Sequence, residues 1–361
     1  MITVAIFNMF AVFFAFLAGY RRDTLWLKVS FVVIFLFLAL RYDYGNDYDP
    51  YLQSFLNINQ LNATGVGVAE STYYETGWVF LCYLFKPVGF FAMIAVLALF
   101  NCIVYYRFII KYVPPAYYWL AVFIYVFDPS FMLIQASAMR QALAIGLFLI
   151  SLDYLYKKDA LRYFLCGSLA ALFHTSALIL FPVYLLRLFN WKITNLRAIG
   201  IFTIFVLTYV LGESLLPYIQ RLLSFFDILN RYEEFQFEAV KVGTGLGIVL
   251  FSCMFALVLF YARSQTAERL LLFKFVSISY LLMALGLFMM SLGRVQLYFE
   301  SAEIAVFPLI IINTKDQVFR YLILAILVFI ILYSFFVFFN SDTYKEFFYV
   351  YKTIFSSPEL Y

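Results

Sequence analysis

Residues 162–197, "RYFLCGSLAALFHTSALILFPVYLLRLFNWKITNLR", decide how this chain is built. The stretch is apolar for long enough to make one tilted bilayer crossing. Yet basic residues flank both ends: Lys157, Lys158 and Arg162 before it, Arg187, Lys192 and Arg197 after. Lys and Arg beside apolar spans stay on the cytoplasmic side, so a segment with basic residues at both ends must cross an even number of times. The expected solution is two short half-helices that enter the membrane and return, broken near His174, or a pair of compressed spans. Irregular backbone at that depth survives only against protein or a watery cavity, so a break there points to a cavity.

The rest of the 361 residues agree with a membrane setting: 65% are hydrophobic, 22% aromatic and 13% charged, far from a water-soluble domain. A helix needs about 20 mostly apolar residues to cross the hydrocarbon core. Such runs recur near 2–19, 25–40, 88–106, 116–127, 130–151, 198–215, 243–262, 270–291, 295–312 and 321–339. The expected fold is an all-α polytopic membrane protein of about 10–12 transmembrane or half-membrane helices, forming a single integral-membrane domain over residues 1–361. The opening "MITVAIFNMFAVFFAFLAGYRR" carries its charges after the apolar run, the reverse of a signal peptide, and is expected to stay as the first helix.

Charge placement sets the expected orientation. Arg21, Arg22 and Lys28 mark an inner connection, as do Arg107 with Lys111, Lys157 with Lys158 and Arg162, Arg263 with Arg269 and Lys274, and Lys315 with Arg320. Residues 41–75 and 216–242 then form two outer loops, and both termini lie outside. In the second loop Ile219, Leu222, Leu223, Phe226 and Leu229 recur at helical spacing, as in a helix lying on the membrane surface or an ordinary loop helix. The tail from Ser341 reads as short and interfacial. The net charge of +4 is small and calls for no nucleic-acid partner. Cys82, Cys102, Cys166 and Cys253 are scattered singly in apolar runs and read as core or lipid-facing residues. With one histidine, a multi-His metal site within the chain is excluded, and neither metal nor cofactor is expected.

An ionisable group inside a span needs a partner or a task. Arg140, in "PSFMLIQASAMRQALAIGLFLI", lies roughly 15 Å from the start of a continuous helix. Ser137, Arg140 and Gln141 then share one stripe at i, i+3 and i+4. Arg294, in "SLGRVQLYFESAEIAVFP", falls at an outer break, and Arg41 at the outer end of the second span. Three guanidinium groups on one membrane boundary make a diphosphate clamp, since the planar fork matches phosphate oxygens. Singly, each reads equally as an interfacial anchor or one half of an ion pair.

Asp43, Asp47, Asp49 and Glu75 supply outer carboxylates, each able to take a proton from an attacking hydroxyl within hydrogen-bond reach. Asp43 and Asp49, in "GNDYDP", read better as turn-formers or solvated charges; for Asp47 both readings stay open. His174 reads as a base, a phosphate donor or a satisfied interior histidine. Tyr42, Tyr44, Tyr48, Tyr51, Tyr73 and Tyr74 crowd a span end, as an interfacial belt or as a groove that stacks sugar rings.

In succession these residues resemble the integral-membrane polysaccharide polymerases of the EpsG and Wzy kind. Arg41, Gly45, Asp47, Tyr48 and Tyr51 form an R-x3-G-x-D-Y-x2-Y element, followed by Glu75-x-Gly77. Arg140, Gln141, Ala144, Tyr163, His174, Ser176 and Pro182 match a central block; Arg231 and Tyr232 a later outer loop; Arg294, Tyr298, Phe299 and Pro308 a late arginine segment. The resemblance implies a GT-C-type glycosyltransferase of O-antigen, lipopolysaccharide, capsule or exopolysaccharide synthesis. It would lie in the inner (cytoplasmic) membrane with its active site toward the periplasm or exterior. There it would move a growing glycan from undecaprenyl diphosphate onto a lipid-linked repeat unit. Asp47, His174 and Arg140 are then the candidate catalytic residues. Arg41, Tyr48, Tyr51, Glu75, Gln141, Arg231, Tyr232, Arg294 and Tyr298 are candidates for binding substrate. A chain-length regulator and a flippase are the implied protein partners. A flippase for lipid-linked oligosaccharides, or an acyltransferase decorating surface glycans, are the alternative activities.

Overall fold

The computed structural model describes residues 1–58, 74–188, 192–224, 246–286 and 290–356. Backbone amides in hydrocarbon must be satisfied within the segment that carries them, and the chain answers with helices almost throughout. The described residues form two compact units: Met1–Tyr184 with Tyr321–Tyr361, and Leu185–Arg320.

In the first unit α1 (Ile2–Arg21) and α2 (Thr24–Ala39) form a hairpin. It turns at Arg22, in the left-handed region at φ 54°, and Asp23 caps α2 by accepting the Leu25 N–H at 2.9 Å. α1 buries Ala11, Ala15 and Ala18 and exposes Phe10, Phe13 and Phe16. Small residues facing protein and large ones facing outward let helices approach closely in lipid, where burial against water drives nothing. Polar groups on the buried faces find carbonyls: Ser30 Oγ donates to Ala11 O at 2.7 Å, and Asn8 Nδ2 to Val126 O at 2.6 Å. After α2 come the two-residue strand β1 (Arg41–Tyr42), α3 (Tyr48–Leu56), α4 (Thr76–Phe85), α5 (Phe90–Tyr112) and α6 (Tyr118–Phe127).

Two breaks shape the middle of this unit. The run expected as one helix over 130–151 is interrupted: α7 is a single turn (Ile134–Ser137), Ala138 leaves helical geometry at φ −87°, ψ 65°, and α8 starts afresh at Met139–Lys157. The second break is the one read from the flanking charges. α9 (Ala160–Phe173) stops at His174, Thr175–Ile179 form a 3-10 turn, and α10 (Leu180–Leu188) runs back. Tyr163 Oη donates to Leu180 O at 2.7 Å and Phe164 stacks on Phe181 at 5.6 Å, so the two arms lie side by side. At 14 residues α9 is about 21 Å long, too short for a full crossing.

The second unit holds α11 (Asn195–Ser224), α12 (Leu246–Ala262), α13 (Ala267–Gly286), α14 (Met290–Glu300) and α15 (Glu303–Asn313). α11 continues to Ser224, so one helix covers the start of the region expected as a second outer loop; residues 225–245, with Arg231 and Tyr232, lie outside the described residues. The expected span 295–312 is a bent pair, α14 and α15 meeting at 47°. Phe255 stacks on Tyr280 at 5.0 Å, and Tyr261 Oη meets Thr314 Oγ1 at 2.8 Å.

α16 (Gln317–Asn340) leads back into the first unit, and α17 (Lys345–Phe348), β2 (Lys352–Thr353) and a 3-10 turn over Ile354–Ser356 end the described chain. β2 pairs antiparallel with β1. Among the described residues four helices are long and apolar enough to cross a membrane, five with the bent pair, and seven shorter apolar helices accompany them. The chain is an all-α polytopic membrane protein.

Candidate active site

At one end of the first unit, four segments distant in sequence meet: the loop after α2, the start of α4, the α7–α8 break and the His174 turn. Arg140 is the second residue of α8 rather than a mid-helix residue, because Ala138 ends the turn before it. The expected Ser137–Arg140–Gln141 stripe is therefore split. Ser137 hydrogen-bonds Asn46 Oδ1 of the loop after β1, Gln141 is 3% exposed, and Arg140 reaches toward Glu75.

The Arg140 guanidinium is held on every side. Nη1 forms an ion pair with Glu75 Oε2, and Nε donates to Tyr51 Oη at 3.3 Å. Its carbon lies 4.8 Å from the Tyr74 ring centre and 5.7 Å from that of Tyr51, two rings whose centres are themselves 6.3 Å apart, so the cation rests against an aromatic pair. Glu75 in turn accepts the Thr175 backbone N–H at 3.2 Å through its other oxygen. One carboxylate thus bridges the start of α8 and the first residue past the break in the α9–α10 hairpin. Glu75 sits at the N-terminal cap position of α4, where the helix dipole favours a negative charge.

Glycines permit these approaches. A Cβ on Gly77 would lie 2.6 Å from the Leu172 carbonyl oxygen, so only glycine lets α4 come this near α9 and present Glu75 to Thr175. Gly45 has φ +119°, and a Cβ there would run into the Ala136 carbonyl of α7. This lays the loop directly on the helix break. Asp47 follows, half-buried, accepting the Asn46 side-chain N–H at 3.0 Å. Burial raises the Tyr51 and Tyr74 phenols above their ordinary value, and the Asp47 charge adds to the rise at both, so Asp47 is electrostatically part of the cluster.

Arg41 departs from the expectation of an outer clamp. It is 2% exposed and donates to the Leu38 carbonyl at the end of α2, to Gln135 O at 3.3 Å and to Met139 Sδ at 3.3 Å. A guanidinium at a helix C-terminus satisfies carbonyls that have lost their intrahelical donors. Arg41 thus ties α2 to the α7–α8 break. Burial lowers its pKa to about 10, so it remains charged at neutral pH. Tyr48 is buried beside it, its phenol pushed up to about 12 by burial.

His174, 8% exposed, uses Nδ1 to accept the Ser176 N–H at 3.3 Å and lies 2.6 Å from Ser176 Oγ. It caps the 3-10 turn. Asp43 is exposed with a left-handed φ of 46°, and Asp49 is exposed in the first turn of α3, where it accepts from Gln53 at 3.3 Å. Arg294 and Tyr298 lie on α14 of the second unit, with Tyr298 fully buried. Among the described residues no group of three or more His, Cys, Asp or Glu is placed to share a metal ion. In the sequence Tyr74 stands out only as one of a tyrosine cluster and Asn46 not at all; nothing in their spacing announces that they flank Arg140 and Asp47.

The family model of EpsG matches residues 24–353. No curated protein and no solved structure matches the chain. The chain belongs to the EpsG family, and in general terms it is a membrane polysaccharide polymerase.

Proposed function

We propose that this member of the EpsG family lengthens a surface polysaccharide by block transfer, as a Wzy-type glycosyltransferase. A growing glycan leaves undecaprenyl diphosphate and joins a lipid-linked repeat unit on the outer face of the inner membrane. The observation that carries this reading is the Arg140–Glu75 pair beside Tyr51 and Tyr74, built where the α7–α8 break and the α9–α10 hairpin meet.

In the reaction an acceptor hydroxyl attacks the anomeric carbon of the donor glycan, the bond to the diphosphate breaks, and negative charge grows on the departing oxygen. A fixed guanidinium at that oxygen lowers the barrier because its charge needs no reorganisation. Arg140 is the group for this role, with Glu75 balancing its charge before substrate binds. Tyr74, half-buried, presents a face on which a sugar ring can stack, and the buried Tyr51 backs the guanidinium. Asp47, half-buried beside both tyrosines, takes the proton of the acceptor hydroxyl. His174 is the weaker candidate for that role, because its Nδ1 already caps a turn. Arg41 supports the site from behind.

Arg140→Ala tests the proposal. The variant should reach the membrane at the normal level and lose chain growth by about 100-fold or more, the scale of removing one electrostatic stabiliser of a transition state. A gel of surface glycan should show single repeat units. A normal ladder would remove Arg140 from the chemistry.

A further inference from the structure

The loop that presents Asn46 and Asp47 has little regular structure of its own, and it is gripped from two sides. On one side lies the α7–α8 break, through Gly45 against Ala136 and Ser137 on Asn46. On the other lies the C-terminal segment. β2 pairs with β1 in the register Arg41↔Thr353 and Tyr42↔Lys352. The Ile354 N–H donates to Leu40 O at 3.0 Å, and the Gly45 N–H donates to Phe347 O at 3.3 Å. Tyr351 lies flat on Phe37 at 4.6 Å and edge-on to Tyr44 at 5.2 Å, while its hydroxyl donates to Phe37 O at 2.7 Å. Burial raises the Tyr351 phenol to about 12, so it remains a donor at neutral pH. From β2, Lys352 Nζ donates to Oδ2 of Asp43, the residue just past β1, at 2.9 Å.

These contacts converge on one loop from the far end of the chain; the Tyr351 and Lys352 bonds span 314 and 309 residues. We infer that the C-terminal segment 345–354 is a positioning element of the candidate active site, with Tyr351 as its central residue. It fixes the loop that offers Asp47 and sets the start of α3, the helix whose Tyr51 holds Arg140. Without it, Gly45 loses the acceptor for its N–H, Arg41 and Tyr42 lose their strand partner, and Asp47 is no longer held against the cluster. The segment therefore acts on turnover, through Asp47 and Tyr51, without touching substrate itself.

The inference rests on the polymerase reading, and the test separates the two. Chain growth on purified lipid-linked repeats is measured for Tyr351→Ala, Tyr351→Phe and Arg140→Ala. Tyr351→Ala should lower kcat about tenfold with KM for the acceptor repeat little changed, while Tyr351→Phe, which keeps the ring, should stay within about threefold of the parent. A tether supplies the rescue. Tyr42→Cys with Lys352→Cys places two thiols on directly opposed strand positions, within disulfide reach. With Cys253, the exposed native thiol, changed to Ser, oxidation of the Tyr351→Ala protein carrying this pair should restore most of the lost turnover.

Normal turnover in Tyr351→Ala, or a formed disulfide that restores nothing, overturns the inference. Should Tyr351→Ala fail to accumulate, the exposed pair decides. Lys352→Asp should slow turnover about threefold and Asp43→Lys in the same chain should restore it; equal rates in parent, single and double variants overturn the inference. Arg140→Ala inactive with Tyr351→Ala normal defeats the positioning role alone, while Arg140→Ala fully active defeats the site and the positioning role together.

Discussion

Arg140 carries a positive charge at the first turn of α8, where the helix dipole is also positive, so it sits in a place that repels it. Glu75 offsets that repulsion from the N-terminal cap of another helix. Both side chains are largely shielded, which makes their attraction worth more than a surface pair and its loss correspondingly costly. Glu75→Gln isolates the charge. The amide oxygen can still accept the Thr175 N–H, but the compensation of Arg140 is lost, at about 1.5–3 kcal/mol for a hydrogen bond to a charged group. The purified protein should therefore melt several degrees lower, whereas Asp43→Asn, at an exposed acid, should change the midpoint by about a degree or less. Equal midpoints for the two variants would mean that the Arg140–Glu75 pair contributes nothing to the fold. Arg140, Tyr51 and Glu75 were readable in the sequence because charge and aromatic groups beside an apolar run demand explanation. The burial of Arg41 was not, since its partners Gln135 and Met139 lie about a hundred residues away and nothing local points to them.

At the level of elements, the two helix breaks have different origins, and this decides which of them the sequence could disclose. The His174 break is forced by basic residues at both ends of one apolar run, a global constraint that charge arithmetic detects. The Ala138 break lies in "LIQASAMRQA", where every residue is a fair or good helix former. It is imposed by tertiary contact: Arg41 takes the Gln135 carbonyl, and Gly45 presses on that of Ala136. The glycines make this testable. Gly77→Ala would place a methyl 2.6 Å from a backbone oxygen of α9, which cannot yield as a side chain can, so α4 must move away and take Glu75 from Thr175. Gly45→Ala adds strain at φ +119°, of order 1–3 kcal/mol. Both variants should lose most chain growth and melt earlier. Gly167→Ala, whose new methyl would lie 3.8 Å from Phe181 in ordinary contact, should be close to neutral in both measurements. A fully active Gly77→Ala protein would show that the close approach of α4 to α9 is dispensable.

For the molecule as a whole, the proposed sidedness rests on joining the sequence's charge placement to the fold of the first unit. The tail beyond α16 pairs with the loop after α2, so the C-terminal ends of α2 and α16 share one face. The opposite ends carry Arg21 and Arg22 after α1, and Lys111 paired with Asp153 between α5 and α8, with Lys157 and Lys158 one turn further along. Positive charge next to spans resists translocation, so the proposed orientation puts the face bearing these residues inside and the face bearing Asp47, Glu75 and Arg140 outside. The sequence placed the termini outside by counting basic residues alone; the β1–β2 pair supplies a reason why the tail must follow the first loop, whichever side that is. The interfacial tail expected from its composition is in fact tied to that loop by strand pairing and ring stacking, which no composition reveals. A single cysteine at Asp342, in a chain whose native cysteines are replaced, should react with a membrane-impermeant maleimide added to intact cells. One at Lys158 should react only after the membrane is opened. The reverse pattern would put the Arg140 cluster on the cytoplasmic face, where an exported lipid-linked repeat cannot meet it, and block transfer by this site would then be untenable.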